Sequence, residues 1–123
     1  MGLSGVSSDM RELSQAADNG NEKAQLAMAM YHYRIKKYIG AYAAAMGGVD
    51  VLVFTGGVGE NQSIARYDVC VDMEYMGLTF DAEINEKIHG QEAVISAPDS
   101  KVTVIVVPTD EEWMIASDTA ACL

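Results

Sequence analysis

A chain of 123 residues, half of them apolar, is long enough for one domain with a real core and too apolar to be disordered. Its formal net charge of −10 argues against nucleic acid and against anionic membrane surfaces as partners. Two cysteines, Cys70 and Cys122, make no disulfide framework, and no signal peptide or transmembrane run is visible, so the cytoplasm is the expected setting.

In chain order, residues 4–8 form a small polar loop, and Ser8 is a good N-cap for a short helix through Ala17, stopped by Asn19-Gly20. Asp9 and Arg11 then fall in its first turn, where a capping carboxylate and a solvated arginine would account for them. Asn21 caps the longest element, residues 22–46. Ala27, Tyr31, Ile35, Tyr38 and Tyr42 share one face of it, and the opposite side carries Ala, Met and Ile. A helix so apolar all round is buried in a larger domain or lies at an interface. Arg34, Lys36 and Lys37 are the chain's basic cluster, read as a solvated helix face. Gly47-Gly48 ends the helix.

Val51–Phe54 is a continuous run of β-formers, read as a strand buried on both faces. It breaks into Gly56, Gly57 and Gly59, and a helix over residues 63–76 comes next, ended by Gly77. Strand, glycine turn and helix start is a geometry that binds phosphate, because glycine lets the backbone come close and a helix start offers free amides. The spacing is not specific. Gln62 stands where a Rossmann fingerprint needs its third glycine, and no Lys-Ser/Thr pair comes after the glycines as in a P-loop. On spacing alone an ordinary tight βα turn explains the glycines equally well.

Downstream, Asp81 caps a short helix with Ile84 and Ile88 inward and Gly90 as the stop. Residues 93–96 are a short strand, residues 97–100 a turn, and residues 102–107 a second buried strand that Pro108 ends. Asp110 caps a last helix through about Ala120. The expected core is a parallel β-α-β unit flanked by helices, with residues 51–54 and 102–107 parallel. Ligands in open α/β sheets lie beyond the carboxyl ends of parallel strands, which puts the glycines and Asp110-Glu111-Glu112 on one rim.

The stretch Val-Phe-Thr-Gly-Gly-Val-Gly-Glu-Asn, ending at Asn61, resembles the adenosine-phosphate loop of acetate kinases, usually seen as Phe-Thr-Ala-Gly-Ile-Gly-Glu-Asn. Gly-Leu-Ser-Gly-Val-Ser-Ser-Asp-Met-Arg, ending at Arg11, resembles that family's adenosine segment. Pro108-Thr109-Asp110-Glu111-Glu112 resembles its Pro-Thr-Asn-Glu-Glu. The three stand in family order and span essentially the whole chain. Gly56 replaces alanine, Val58 isoleucine, Asp110 asparagine, and Trp113 a smaller apolar residue.

The resemblance implies an α/β fold, part of a ribonuclease H-like C-terminal domain of the actin, Hsp70 and sugar-kinase class. It implies reversible transfer of the γ-phosphoryl of ATP to acetate with Mg²⁺, giving acetyl phosphate and ADP. Asp9, Met10 and Arg11 are assigned to the pocket around adenine and ribose, Gly57, Val58, Gly59, Glu60 and Asn61 to the phosphates, and Glu111 to Mg²⁺. Without the resemblance, Glu111 and Glu112 are acids at a helix start.

The family's acetate-end arginines, catalytic aspartate, transition-state histidine and metal-side asparagine have no counterpart here, and His32 and His89 match none of those motifs. The expectation is the C-terminal portion of an acetate kinase, residues 1–123, with the N-terminal domain absent, no catalytic residue of its own, and homodimers or oligomers joined through the C-terminal domains. The same part of a propionate kinase and a non-catalytic nucleotide-binding or dimerisation module are the competing readings.

Overall fold

In the computed structural model, which describes residues 2–122, six α-helices surround a three-stranded sheet. The helices are α1 (Met10–Asp18), α2 (Glu22–Met46), α3 (Gly56–Asn61), α4 (Ser63–Cys70), α5 (Ala82–Lys87) and α6 (Glu111–Ala121). The strands are β1 (Val51–Phe54), β2 (Ala93–Val94) and β3 (Thr103–Val106), in the order β1-β3-β2. β1 and β3 run parallel, with Val51 opposite Thr103 and Phe54 opposite Val106, while β2 is antiparallel to β3. The parallel β-α-β core flanked by helices is thus present. No helix among the described residues is long and apolar enough to cross a membrane.

The core lies on one side of the sheet. Val102, Val104 and Val106 point into it and meet Val69, Cys70, Met73, Leu78 and Ile95. The alternating residue Thr103 is exposed, so residues 102–107 are a one-sided strand rather than one buried on both faces. β1 departs from expectation in the same way: it is an edge strand, and Val51 and Val53 are 52% and 50% exposed, so among the described residues that face is only half covered. Cys70 is the small buried hydrophobe its position suggests, and burial pushes its thiol up to about 12.

α2 starts and stops as its caps require: the Asn21 side chain accepts from the Ala24 amide at 3.0 Å, and Gly47 ends it. Its packed stripe is not the aromatic one. Ala24, His32 and Ala43 are buried and Ile35 and Ile39 half-buried, while Tyr31, Tyr38 and Tyr42 face out. Small residues let α1 and α4 approach the helix axis closely, and the wide rings are left at the surface. Lys36 is not part of a solvated face: it is half-buried and donates to the Val71 carbonyl beyond α4. Arg34 does stay at the surface, over the ring of Tyr38 and donating to its hydroxyl.

The helix expected over residues 63–76 ends at Cys70. Val71 is extended and Asp72 takes φ 58°, and a separate 3-10 turn covers Glu74–Met76. This break lets both Met73 and Leu78 enter the core, a gain that outweighs continued helix propensity. In α5 the inward residue is Asn85, while Ile84 is exposed and Ile88 is buried.

Candidate functional site

The carboxyl ends of β1 and β3 lie side by side, and the amide of Val107 donates to the carbonyl of Phe54 at 2.9 Å. The segments that leave these two strand ends therefore share one rim. After β1 the chain does not form an open turn. Thr55 is extended, Gly56 takes φ +70°, and residues Gly56–Asn61 coil into the short helix α3. Only glycine enters that left-handed region freely, so Gly56 sets the angle between strand and helix. The N-cap Thr55 makes no side-chain cap bond, and the first amides of a helix have no partner in the preceding turn, so past Gly56, whose amide meets Glu60, the start of α3 presents N–H groups to the rim.

Gly59 meets a different requirement. A Cβ at this position would sit 3.1 Å from the carbonyl carbon of Phe54, so the bare backbone lets α3 press against the end of β1. Gly57 has nothing within 4 Å of a Cβ position. Gly59→Ala should therefore lower stability by about 1–3 kcal/mol through overpacking, despite alanine's better helix propensity, whereas Gly57→Ala should be neutral or slightly stabilising. Urea unfolding of both variants checks this, and an unchanged midpoint in Gly59→Ala would refute it.

Glu60 ties the two rim segments together. Its Oε1 accepts from the Thr109 amide and from the Thr109 hydroxyl, both at 2.9 Å. These two bonds, with the Gly56 amide as a further donor, hold its carboxyl below its ordinary value. Gly56, Gly57, Glu60, Thr109, Asp110, Glu111 and Glu112 line a shared cleft of ≈ 380 Å³. Asp110 is committed to its cap, accepting from the Trp113 amide at 3.1 Å. Glu111 and Glu112 are exposed at the start of α6, and no lysine or arginine lines the cleft.

On the other side of α3 lies a larger cleft of ≈ 690 Å³, in which Met10 and Arg11 of α1 meet Gly57, Val58 and Asn61. Ser8 is not the cap of α1. Asp9 is: its Oδ1 accepts from the Arg11 amide at 2.8 Å. The Arg11 guanidinium folds back onto the same carboxylate, Nη2 to Oδ2 at 2.8 Å, and this hydrogen bond above all holds the Asp9 carboxyl down to about 2. Asp9 is thus outside the cleft lining and positions Arg11, which is in it. Asn61 braces α3 by donating to the Gly57 carbonyl at 3.2 Å. Of the residues singled out from sequence, Met10, Arg11, Gly57, Val58 and Asn61 share the larger cleft, Glu60 and Glu111 the smaller, and Gly59 packs beneath.

Arg66 supports the site from beneath, and the sequence does not single it out. It is fully buried in α4, and its guanidinium donates to the carbonyls of Gly59 (2.8 Å), Glu60 (3.0 Å), Asn85 (3.1 Å) and Ile88 (2.7 Å), and to Asn85 Oδ1 (2.7 Å). It thereby clamps the last turns of α3 and α5, whose carbonyl ends carry partial negative charge. Burial lowers its pKa, and the carbonyls take the place of a carboxylate. An arginine four places past Gln62 carries no local signal of this role. His32, which matches no family motif, is buried, 2.7 Å from Asp68; His89 is exposed beside the Asn61 carbonyl.

The family model of the acetokinase family matches residues 1–117. The acetate kinase of Porphyromonas gingivalis (strain ATCC BAA-308 / W83) is 72% identical over 123 residues, covering 100% of this chain and 31% of that relative. The crystal structure of Porphyromonas gingivalis acetate kinase matches with a TM-score of 0.89 at 72% identity, covering 98% of this chain and 30% of that one. That of a propionate kinase from Francisella tularensis subsp. tularensis SCHU S4 matches with a TM-score of 0.78 at 35% identity, covering 94% and 29%. The chain thus spans about 31% of the length of the curated relative it resembles.

Proposed function

The chain belongs to the acetokinase family, and on that premise we propose that its rim is the nucleotide site of an acetate kinase, the enzyme that moves the γ-phosphoryl of ATP to acetate and back. The observation that carries the reading is the pair of clefts on either side of α3, locked to the Pro-Thr-Asp-Glu-Glu segment by the Glu60–Thr109 bonds. Asp9, Met10 and Arg11 then serve the adenosine end, with Asp9 acting by holding Arg11. Gly57, Val58, Gly59 and Asn61 form the phosphate-facing backbone, and Glu60 fixes its orientation.

Mg²⁺ fits the smaller cleft by donor chemistry. A hard cation takes oxygen ligands, and Mg²⁺ commonly uses one or two carboxylates together with phosphate oxygens and water. Glu111 is the carboxylate assigned to it, facing the same space as the glycines; among the described residues no cluster of three acidic or His/Cys groups offers a closed metal cage. The ion would supply charge neutralisation at the phosphates. Homodimerisation and a cytoplasmic setting belong to the same proposal. The half-covered Val51 and Val53 face and the outward tyrosines of α2 supply apolar surface for association.

These residues alone should bind ADP–Mg²⁺ and show no acetate-dependent ATP turnover, because no basic side chain lines the phosphate-side cleft to stabilise the moving phosphoryl. Calorimetry and a hydroxamate assay on the purified chain test the two halves. Absence of nucleotide binding overturns the site; robust acetyl hydroxamate formation overturns the division of labour. Curated relatives 55–72% identical to this chain are acetate kinases, which supports acetate as the acyl substrate of the parent enzyme.

A further inference from the structure

Beyond β3 the chain is held to the rest of the molecule at few points. The Val107 amide makes the last backbone bond to β1, donating to the Phe54 carbonyl. No residue of α6 is buried, and its Trp113, Met114 and Ile115 are all exposed, so packing does not fix where the helix begins. The hydrogen bonds of Asp110 and Thr119 stay within that segment. Past Val107, the hydrogen bonds that reach another element among the described residues are the two from Thr109. Its amide and its hydroxyl both donate to Oε1 of Glu60 at 2.9 Å.

Both ends of this link are firm. Pro108 has its own φ locked by its ring, and Asp110 and Glu111 come directly after Thr109. On the other side, the Glu60 carbonyl accepts from the Arg66 guanidinium at 3.0 Å and from the Gly90 amide at 3.1 Å, which ties its backbone to α4 and to the turn before β2. Two donors converging on one oxygen set direction as well as distance, because a hydrogen bond weakens steeply off line. The link therefore sets the start of α6, and with it Glu111, across the cleft from Gly56 and Gly57. Resting on the nucleotide reading above, we propose that Thr109 is a positioning residue of the metal–nucleotide site, holding Glu111 through Glu60 within reach of an ion bound to the phosphates. Mg²⁺ demands near-ideal octahedral geometry, so a small displacement of one carboxylate weakens its hold on a shared ion. Thr109 touches neither nucleotide nor metal in this role; it couples the two affinities. The link is open to solvent, where such bonds compete with water and add little to folding.

Calorimetry on the chain measures ADP affinity with excess Mg²⁺ and with a chelator in its place. The unaltered chain should bind ADP about tenfold or more tightly with Mg²⁺ than without it. Thr109→Val keeps the shape and the amide donor but lacks the hydroxyl. It should lower that ratio at least about threefold, while the affinity without Mg²⁺ and the urea midpoint stay nearly unchanged. Thr109→Ser retains the hydroxyl and should keep the ratio of the unaltered chain. In a Glu60→Leu background, which removes the acceptor, Thr109→Val should change the ratio no further. Equal affinity of the unaltered chain with and without Mg²⁺ overturns the proposal and leaves the nucleotide site standing. So does a ratio in Thr109→Val equal to that of the unaltered chain, or a loss that is the same with and without Mg²⁺. Failure of the unaltered chain to bind ADP under either condition overturns the nucleotide site and this proposal together.

Discussion

Arg66→Met should remove a large part of the stability of this chain. The side chain makes five hydrogen bonds in a fully buried setting, and four of them end on backbone carbonyls from two separate helix ends. Methionine fills the space but donates nothing. Each buried acceptor left unpaired costs about 1–3 kcal/mol. Relaxation and water entry make the sum less than additive, so a loss of roughly 3–5 kcal/mol is expected. Domains of this size hold about 5–15 kcal/mol in total. Arg66→Lys should recover part of the loss, since an ammonium has three donors but no fork to span both helix ends. Urea unfolding followed by circular dichroism measures this. A midpoint for Arg66→Met close to that of the unaltered chain would show that the clamp contributes little.

The clamp also shows where legibility in sequence ends. The features written in local chemistry were readable: Asn21 and Gly47 bound α2, Asp81 and Asp110 cap α5 and α6, and β1 and β3 are parallel with their carboxyl ends on one rim. The meeting of the glycine segment with the Thr109–Glu112 segment is a consequence of that topology. Arg66 was not readable, because its partners come from Gly59, Glu60, Asn85 and Ile88, and nothing within its own turn of helix marks it. Which side of α2 is buried was not readable for a related reason. Periodicity identified a row of tyrosines, but distance of approach decided burial, and Ala24 and Ala43 allow closer contact than a ring does. A recess lined by Ser14, His32, Gln62 and Asp68 draws on α1, α2 and α4, so only the folded chain reveals it. Ser8 gave way to Asp9 as a cap because a carboxylate there also gathers Arg11.

Glu111→Gln in the full-length parent enzyme should lower activity about tenfold or more and move half-activation to higher Mg²⁺, while Glu112→Gln should change either by less than about twofold. Both glutamates stand at the start of α6 and both line the cleft beside Gly56 and Gly57, so burial does not separate them. Both gain equally from the positive end of the helix, and if that were all they did, the two amides would behave alike. A metal held against a nucleotide breaks the symmetry. Consecutive helical residues project about 100° apart, so one carboxylate can face the phosphates beyond the glycines while its neighbour turns away. The family resemblance gives that place to Glu111. Asp110 and Glu60 cannot substitute without cost, since one caps the Trp113 amide and the other holds Thr109. Excess Mg²⁺ should therefore rescue Glu111→Gln in part, because the ion still has phosphate oxygens to bind. Equal losses in the two variants, or an unchanged Mg²⁺ dependence in Glu111→Gln, would reduce Glu111 to an acid that stabilises the start of α6.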